Sequence, residues 1–314
     1  MKIGIVGTGF VGSTAAYTLM MRGLASDIIL IDANTARAAA QAADIRHAAP
    51  FGHSVGIRQG DYSDLAGCPA VIVAAGKSRT AGQSRLDLAR ENAAILREVV
   101  PAVIEHAPCA VLVITTNPVD VMTHVATHIA KNIDVPPGLV LGTGTVLDTA
   151  RFRTLISDLL DIEASDVHAY VVGEHGESEV MAWSSARVGA LPVDEACRHL
   201  GKEFDDAVKR RINDDVRHAG REIISGKGAT YFGIGGALAH IIDVIVHDHR
   251  AILTVSTFLH DCEGIADVTL SLPHIVGGNG VITRLPLLLD AAERSELRKS
   301  AEILRKATDD LGRP

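Results

Sequence analysis

Residues 7–12 read Gly7-Thr8-Gly9-Phe10-Val11-Gly12 and directly follow an apolar run at residues 2–6. A strand that enters G-x-G-x-x-G and leaves as a helix is built to hold phosphate. Gly7 permits the tight turn, Gly9 lets backbone approach a pyrophosphate, and Gly12 lets helix and strand pack closely. Phe10 and Val11 open a helix whose free N–H groups face the phosphates. Twenty residues after Gly12 a second apolar run ends at Asp32. A carboxylate there accepts hydrogen bonds from adenosine ribose hydroxyls and repels a 2′-phosphate. The expected cofactor is therefore NAD, not NADP.

A cradle of this kind needs a parallel sheet behind it. Apolar runs at residues 2–6, 27–31, 70–74, 110–114 and 139–141 alternate with helical patterns, including those at 11–22 and 87–106. That order predicts an α/β fold, a doubly wound parallel sheet (Rossmann) with right-handed crossovers. After about residue 142 the texture changes to α+β. Residues 145–160 read as a helix, 167–172 as a strand, 193–226 as a long charged helical stretch and 229–246 as a buried helix. Short strands follow at 268–272, 274–276 and 280–283. Leu297, Ala301, Leu304, Thr308 and Leu311 share one face of an amphipathic C-terminal helix. The expected organisation is an NAD-binding domain over residues 1–142 and a catalytic domain over residues 143–314.

Composition narrows the partners. The chain is 47% hydrophobic and 22% charged, which excludes a disordered or low-complexity protein. A net charge of −8 argues against nucleic acid or an acidic membrane as the main partner. It does not bar a small anion, because a few arginines in a cleft act locally. No signal-peptide pattern or membrane-spanning run is read. Cys68, Cys109, Cys197 and Cys262 are widely spaced with no CxxC. Reduced thiols and a cytoplasmic location are expected.

Three more segments, with the Asn117-Pro118 pair, belong together. They are residues 76–88, residues 142–153 with Asp148 and Arg151, and Gly173-Glu174-His175-Gly176-Glu177. With TNPVD at 116–120, GTVLDTARFR at 144–153 and GEHG at 173–176, the chain resembles the L-lactate/malate dehydrogenase family over nearly its whole length. The resemblance implies reversible hydride transfer between NADH and a small 2-keto acid. His175 is then the catalytic acid/base, a role suited to a group titrating near neutrality. Asp148 is its orienting carboxylate, and Arg151 grips the substrate carboxylate, where a planar guanidinium makes a two-point bond. Arg85 polarises the ketone carbonyl when a loop closes. Asn117 hydrogen-bonds substrate oxygen and helps place the nicotinamide. Thr230 and Ile234 match positions beside the substrate and the nicotinamide ring. A catalytically silent NAD-binding protein on this scaffold would have lost His175, Asp148 or Arg151, and all three are present.

The choice of acid pulls two ways. Arg79 lies six residues before Arg85, where family lactate dehydrogenases usually carry Gln and malate dehydrogenases Arg. A second carboxylate calls for a cation there, so Arg79 tips the expectation toward oxaloacetate/malate. The GTGTVLDTARFR run, His168, Thr230 and Ile234 look like the lactate branch, so pyruvate/lactate is the alternative.

The resemblance also implies a homo-oligomer, dimer or tetramer. It further implies a fructose 1,6-bisphosphate site at a subunit interface, formed by Arg153 and His168. No metal is expected. The pairs His124/His128 and His247/His249 each lack a third ligand nearby in sequence.

Overall fold

The computed structural model describes residues 1–78 and 82–312, and Arg79 lies outside the described residues. The first half runs β1 (Lys2–Val6), α1 (Phe10–Met21), β2 (Asp27–Ile31), α2 (Thr35–Ala48), β3 (Gly56–Gln59), β4 (Ala70–Val73), α3 (Arg85–His106), β5 (Val111–Ile114), α4 (Val119–Lys131) and β6 (Val140–Gly142). These strands pair in parallel in the order β3-β2-β1-β4-β5-β6. The order reverses between β1 and β4, and such a switch point opens a crevice at the carboxyl ends of the strands.

Strand residues alternate between two cores, as a pleat with period two requires. Val6, Val71, Val73, Leu112 and Ile114 join one apolar cluster. Ile3, Ile5, Ile72, Val111 and Val113 join another on the opposite face.

The second half runs α5 (Val146–Leu160), β7 (Val167–His168), β8 (Val171–Val172), β9 (Val180–Met181), β10 (Arg187–Val188), β11 (Leu191–Pro192), α6 (Val193–His199), α7 (Asp206–Lys227), α8 (Phe232–Val246), β12 (Ala251–Leu253), β13 (Ser256–Cys262), β14 (Ile265–Ser271), β15 (His274–Gly277), β16 (Gly280–Arg284) and α9 (Ala291–Asp310). The main sheet continues past residue 142. β13 pairs antiparallel with β6 and carries β14, making eight strands. A third core gathers Phe152 and Ile156 of α5 with Ile212 and Val216 of α7.

Three local expectations change. Residues 167–172 form two short strands in different sheets, because Ala169 and Tyr170 turn their carbonyls to Arg153 and to the backbone of Ala182. The long helical stretch breaks into α6 and α7. Gly201 there takes a φ of 65°, and Asp205 caps α7 by accepting from the N–H groups of Ala207 and Val208. The helix expected from residue 229 starts at Phe232.

Two glycines set the spacing behind the cleft. A Cβ on Gly12 would lie 1.9 Å from the carbonyl oxygen of Gly7, which is backbone and cannot yield. One on Gly235 would lie 2.6 Å from the side chain of Thr14, so α1 and α8 meet at glycine distance. Gly12→Ala should lower the urea midpoint of unfolding through overpacking on the order of 1–3 kcal/mol. Gly9→Ala, whose Cβ meets no atom within 4 Å, should leave it in place. Equal midpoints for the two variants would refute this account of the turn.

Candidate active site

The glycine turn and Asp32 form one hydrogen-bonded unit. Gly7, with φ of 98°, donates its N–H to the carbonyl of Ile31. Thr8 donates its backbone N–H and its hydroxyl to one oxygen of Asp32, at 2.8 and 2.9 Å. Asn34 N–H and Arg37 complete the shell, with the guanidinium reaching both oxygens at 2.7 and 2.9 Å. Burial opposes the charge on Asp32, but the bonds from Arg37, Thr8 and Asn34 outweigh it and hold its pKa at about 2. Arg37 was not anticipated from sequence. Its signal is a cation in the first turn of the helix that follows Asp32.

A groove of 860 Å³ runs along this unit, lined among others by Gly7, Gly9, Phe10, Asp32, Arg37 and Ser78. The open space beside Gly9 is room into which a bound pyrophosphate fits, and Asp32 lines the same groove with its side chain 4% exposed. Val11 and Ile234 are half-buried and pack on the core beside α1 and α8. Phe10 stacks on Tyr231 with centroids 5.3 Å apart, and Lys227 lies 3.4 Å above the Tyr231 ring. This contact joins the glycine turn to the segment that carries Thr230.

The second cluster centres on Asp148, in the first turn of α5 and 2% exposed. One of its oxygens takes His175 Nδ1 at 2.6 Å and the other takes Arg151 Nη1 at 2.7 Å. Arg151 reaches it because i and i+3 share a helix face. Burial resists ionisation of Asp148, yet the charges of His175 and Arg151 prevail and hold its carboxyl below the usual range. The same contact works on His175. The Asp148 charge raises its pKa to about 9 against the opposing effect of burial. The ring remains 31% exposed, and with Nδ1 engaged, Nε2 is the nitrogen left for proton transfer.

Three elements hold the loop that carries His175. Asp120 of α4 accepts the His175 backbone N–H at 2.7 Å and the Ser256 hydroxyl at 2.6 Å. Gly173 exchanges two backbone bonds with Ser271 of β14. Ser300 of α9 accepts the Glu174 N–H at 2.7 Å. Asp120 lies in the TNPVD run but was not singled out from sequence. Glu179 was also missed. It is buried near Asp148 and His175, its Oε1 and the nearby Arg217 Nε have no hydrogen-bond partner among the described residues, and burial raises its pKa to about 8.

The other expected residues are more dispersed. Asn117 is exposed just beyond β5, and its carbonyl accepts from Asn92 at 2.7 Å. Arg85 is the exposed first residue of α3, and among the described residues no hydrogen bond or ion pair joins it to His175, Asp148 or Arg151. Thr230 is half-buried just before α8. Arg153 donates to the Ala169 carbonyl and lies over the Tyr170 ring at 5.2 Å, while neighbouring His168 is exposed.

Both halves of the chain match a known protein family. Residues 1–136 match the lactate/malate dehydrogenase NAD binding domain, and residues 145–312 match the lactate/malate dehydrogenase alpha/beta C-terminal domain. The chain is 51% identical over 311 residues to an L-lactate dehydrogenase of Geotalea daltonii, covering 99% of each chain. It is 48% identical over 312 residues to an L-lactate dehydrogenase of Thermus aquaticus, covering 99% of this chain and 100% of the other. Among solved structures, the minor L-lactate dehydrogenase of Enterococcus mundtii aligns with a TM-score of 0.93 at 36% identity, covering 98% of this chain and 97% of that one.

The Asp148 contact gives a titration test. In an NMR pH titration His175 should keep its proton well above the ordinary 6.5 and lose it near pH 9. Asp148→Asn should bring the midpoint down sharply, and Glu179→Gln should lower it by less, since Glu179 adds negative charge only as it ionises. A wild-type midpoint at or below 6.5 would disprove the assigned geometry.

Proposed function

The chain belongs to the lactate/malate dehydrogenase family of NAD-dependent oxidoreductases that act on the CH–OH group of 2-hydroxy acids, and on that basis we propose that it is an L-lactate dehydrogenase interconverting pyruvate and L-lactate. The observation that carries the reading is buried Asp148 held between His175 and Arg151. The substrate preference draws its support from relatives named L-lactate dehydrogenase at up to 51% identity. It replaces the tilt toward malate that Arg79 gives in the sequence.

Gly7, Gly9, Phe10, Val11, Gly12 and Asp32 hold the cofactor, with Asn117 and Ile234 beside its reactive end. NAD, when bound, supplies or accepts the hydride. The protein's own work is protonic and electrostatic. Arg151 keeps one guanidinium edge on Asp148 and offers the rest to the substrate carboxylate as a bidentate partner. Protonated His175 gives its Nε2 proton to the carbonyl oxygen during reduction and takes it back during oxidation. Asp148 fixes the ring and stabilises the imidazolium, much as the acid of a hydrolase triad does. Arg85 and Asn117 polarise the carbonyl, and Thr230 borders the substrate.

We place the enzyme in the cytoplasm, where its four free cysteines suit a reducing compartment. It works as a homo-oligomer, dimer or tetramer. Among the described residues no helix is long and apolar enough to cross a membrane.

Arg79 favours the second reading, oxaloacetate/malate. Steady-state assays with NADH should give a higher kcat/KM for pyruvate than for oxaloacetate. Arg79→Gln should widen the gap, to the extent that the guanidinium serves the second carboxylate, by up to ~2–4 kcal/mol of transition-state binding. A higher value for oxaloacetate in the unmodified enzyme would establish the malate reading instead.

Arg153 bonds to the carbonyl of Ala169, one residue after the exposed His168, and on that placement we propose regulation as well. A sugar bisphosphate such as fructose 1,6-bisphosphate relieves repulsion between cationic groups gathered from two subunits. Millimolar ligand should lower the apparent KM for pyruvate at about pH 6 and at about pH 7.5. Identical kinetics with and without ligand at both pH values would remove the site from the enzyme's regulation.

A further inference from the structure

The two histidines after α8 look isolated in sequence, but the fold supplies a third group. Asp243 lies one helical turn before His247, on the last turn of α8. Its Oδ1 meets His247 Nδ1 at 2.8 Å and His249 Nε2 at 3.4 Å. The three donor atoms all lie within 4.8 Å of one another. From these residues we propose a surface site for a divalent transition-metal ion of the zinc, cobalt or nickel type, ligated by Asp243 Oδ1, His247 Nδ1 and His249 Nε2.

The spacing suits such an ion. Ligand bonds near 2.0–2.1 Å put neighbouring donors of a tetrahedral site about 3.3 Å apart, within the range seen. Two imidazoles and a carboxylate are borderline donors that select these metals over magnesium or calcium. The chain after α8 brings the second ring back. Asp248 takes a φ of 48° and accepts the Gly278 N–H at 2.8 Å, and His249 N–H bonds to the Val244 carbonyl. The rings therefore stand 5.3 Å apart over one carboxylate.

Two electrostatic effects compete at this point. The carboxyl end of α8 carries the negative pole of the helix dipole and favours a cation. Arg22 opposes one, bonded to Asp243 at 3.1 Å, but it does so through Oδ2. Metal on Oδ1 leaves that bond intact, and Arg22 then orients the carboxylate from behind. Both rings are about half exposed, so water completes the coordination, and the site binds by exchange with solvent and not as a closed structural centre.

The test is independent of the substrate reading. Equilibrium dialysis with Co²⁺ and calorimetry with Zn²⁺ should find about one ion bound per chain through this cluster. The ion should persist in His175→Asn, which breaks the other group of potential ligands, Asp148, His175 and Glu179. It should be lost in Asp243→Asn and in His249→Ala. Zn²⁺ should raise the thermal midpoint of the wild type and not that of His249→Ala. His249→Ala should keep full metal-free activity, because the ring is exposed and among the described residues makes no bond to Asp148, His175 or Arg151, and this also shows that the variant folds. Retained stoichiometry in His249→Ala, loss in His175→Asn, or no binding in the wild type would each overturn the proposal.

Discussion

Asp148 is buried with one hydrogen-bonded cationic partner on each oxygen, and the rest of the site is arranged around that fact. An ionised carboxylate out of water is costly unless both oxygens are engaged, and losing either partner leaves an uncompensated charge. His175 and Arg151 meet the requirement from different directions. Arg151 comes from the same helix, three residues on, so α5 fixes it without tertiary help. His175 comes from a loop that has no helix of its own, so its position must be enforced from outside. Asp120, Ser271 and Ser300 do so from α4, β14 and α9. A carboxylate on one helix thus accounts for the convergence of three other elements on one loop.

The cofactor groove obeys a different constraint, that of close approach. Gly7 must turn, Gly12 must let α1 touch the turn, and Gly235 must let α8 touch α1. Through the Phe10–Tyr231 stack these steric terms reach the segment holding Thr230. The glycine turn and the segment holding Thr230 touch at that point through two rings, while the His175 cluster is joined by charge. The two Asp residues illustrate the contrast. Asp32 is held ionised near pKa 2 by bonds from Thr8, Asn34 and Arg37, which leaves it a fixed acceptor. Asp148 uses its charge to raise the pKa of a neighbour and so controls a proton.

Much of this was legible in the sequence because it is written in local pattern. Five strands, α1 and α3 follow from apolar runs and helical periodicity, and the glycine turn with Asp32 follows from spacing. Residues that act through tertiary contact left no local trace. Asp120 sits in a quoted motif, yet its role appears only when α4 lies beneath the His175 loop. Glu179 is four residues past His175, and nothing in its neighbours signals burial. Asp243 pairs locally with His247 one helical turn on, but His249 joins them only because the chain reverses after α8. The pattern also misses α2, whose alanine-rich face has weak periodicity, and β3, an edge strand with a single buried residue, Ile57. The strand expected at 167–172 breaks because Arg153 and Ala182 claim the carbonyls of Ala169 and Tyr170, and no propensity records such competition.

Substrate choice comes down to one desolvation argument. Pyruvate carries one carboxylate, which Arg151 meets in the proposed reading, and a methyl group on the far side. A guanidinium brought against that methyl loses water and gains no partner, a penalty that outweighs the favourable field of a cation near an anion. With oxaloacetate the same guanidinium finds a second carboxylate and the balance inverts. In the proposed reading that cost is avoided only where a guanidinium beside the substrate stays in water. The type of residue 79 alone thus fixes neither substrate. Selectivity rests on whether catalysis takes its guanidinium out of water.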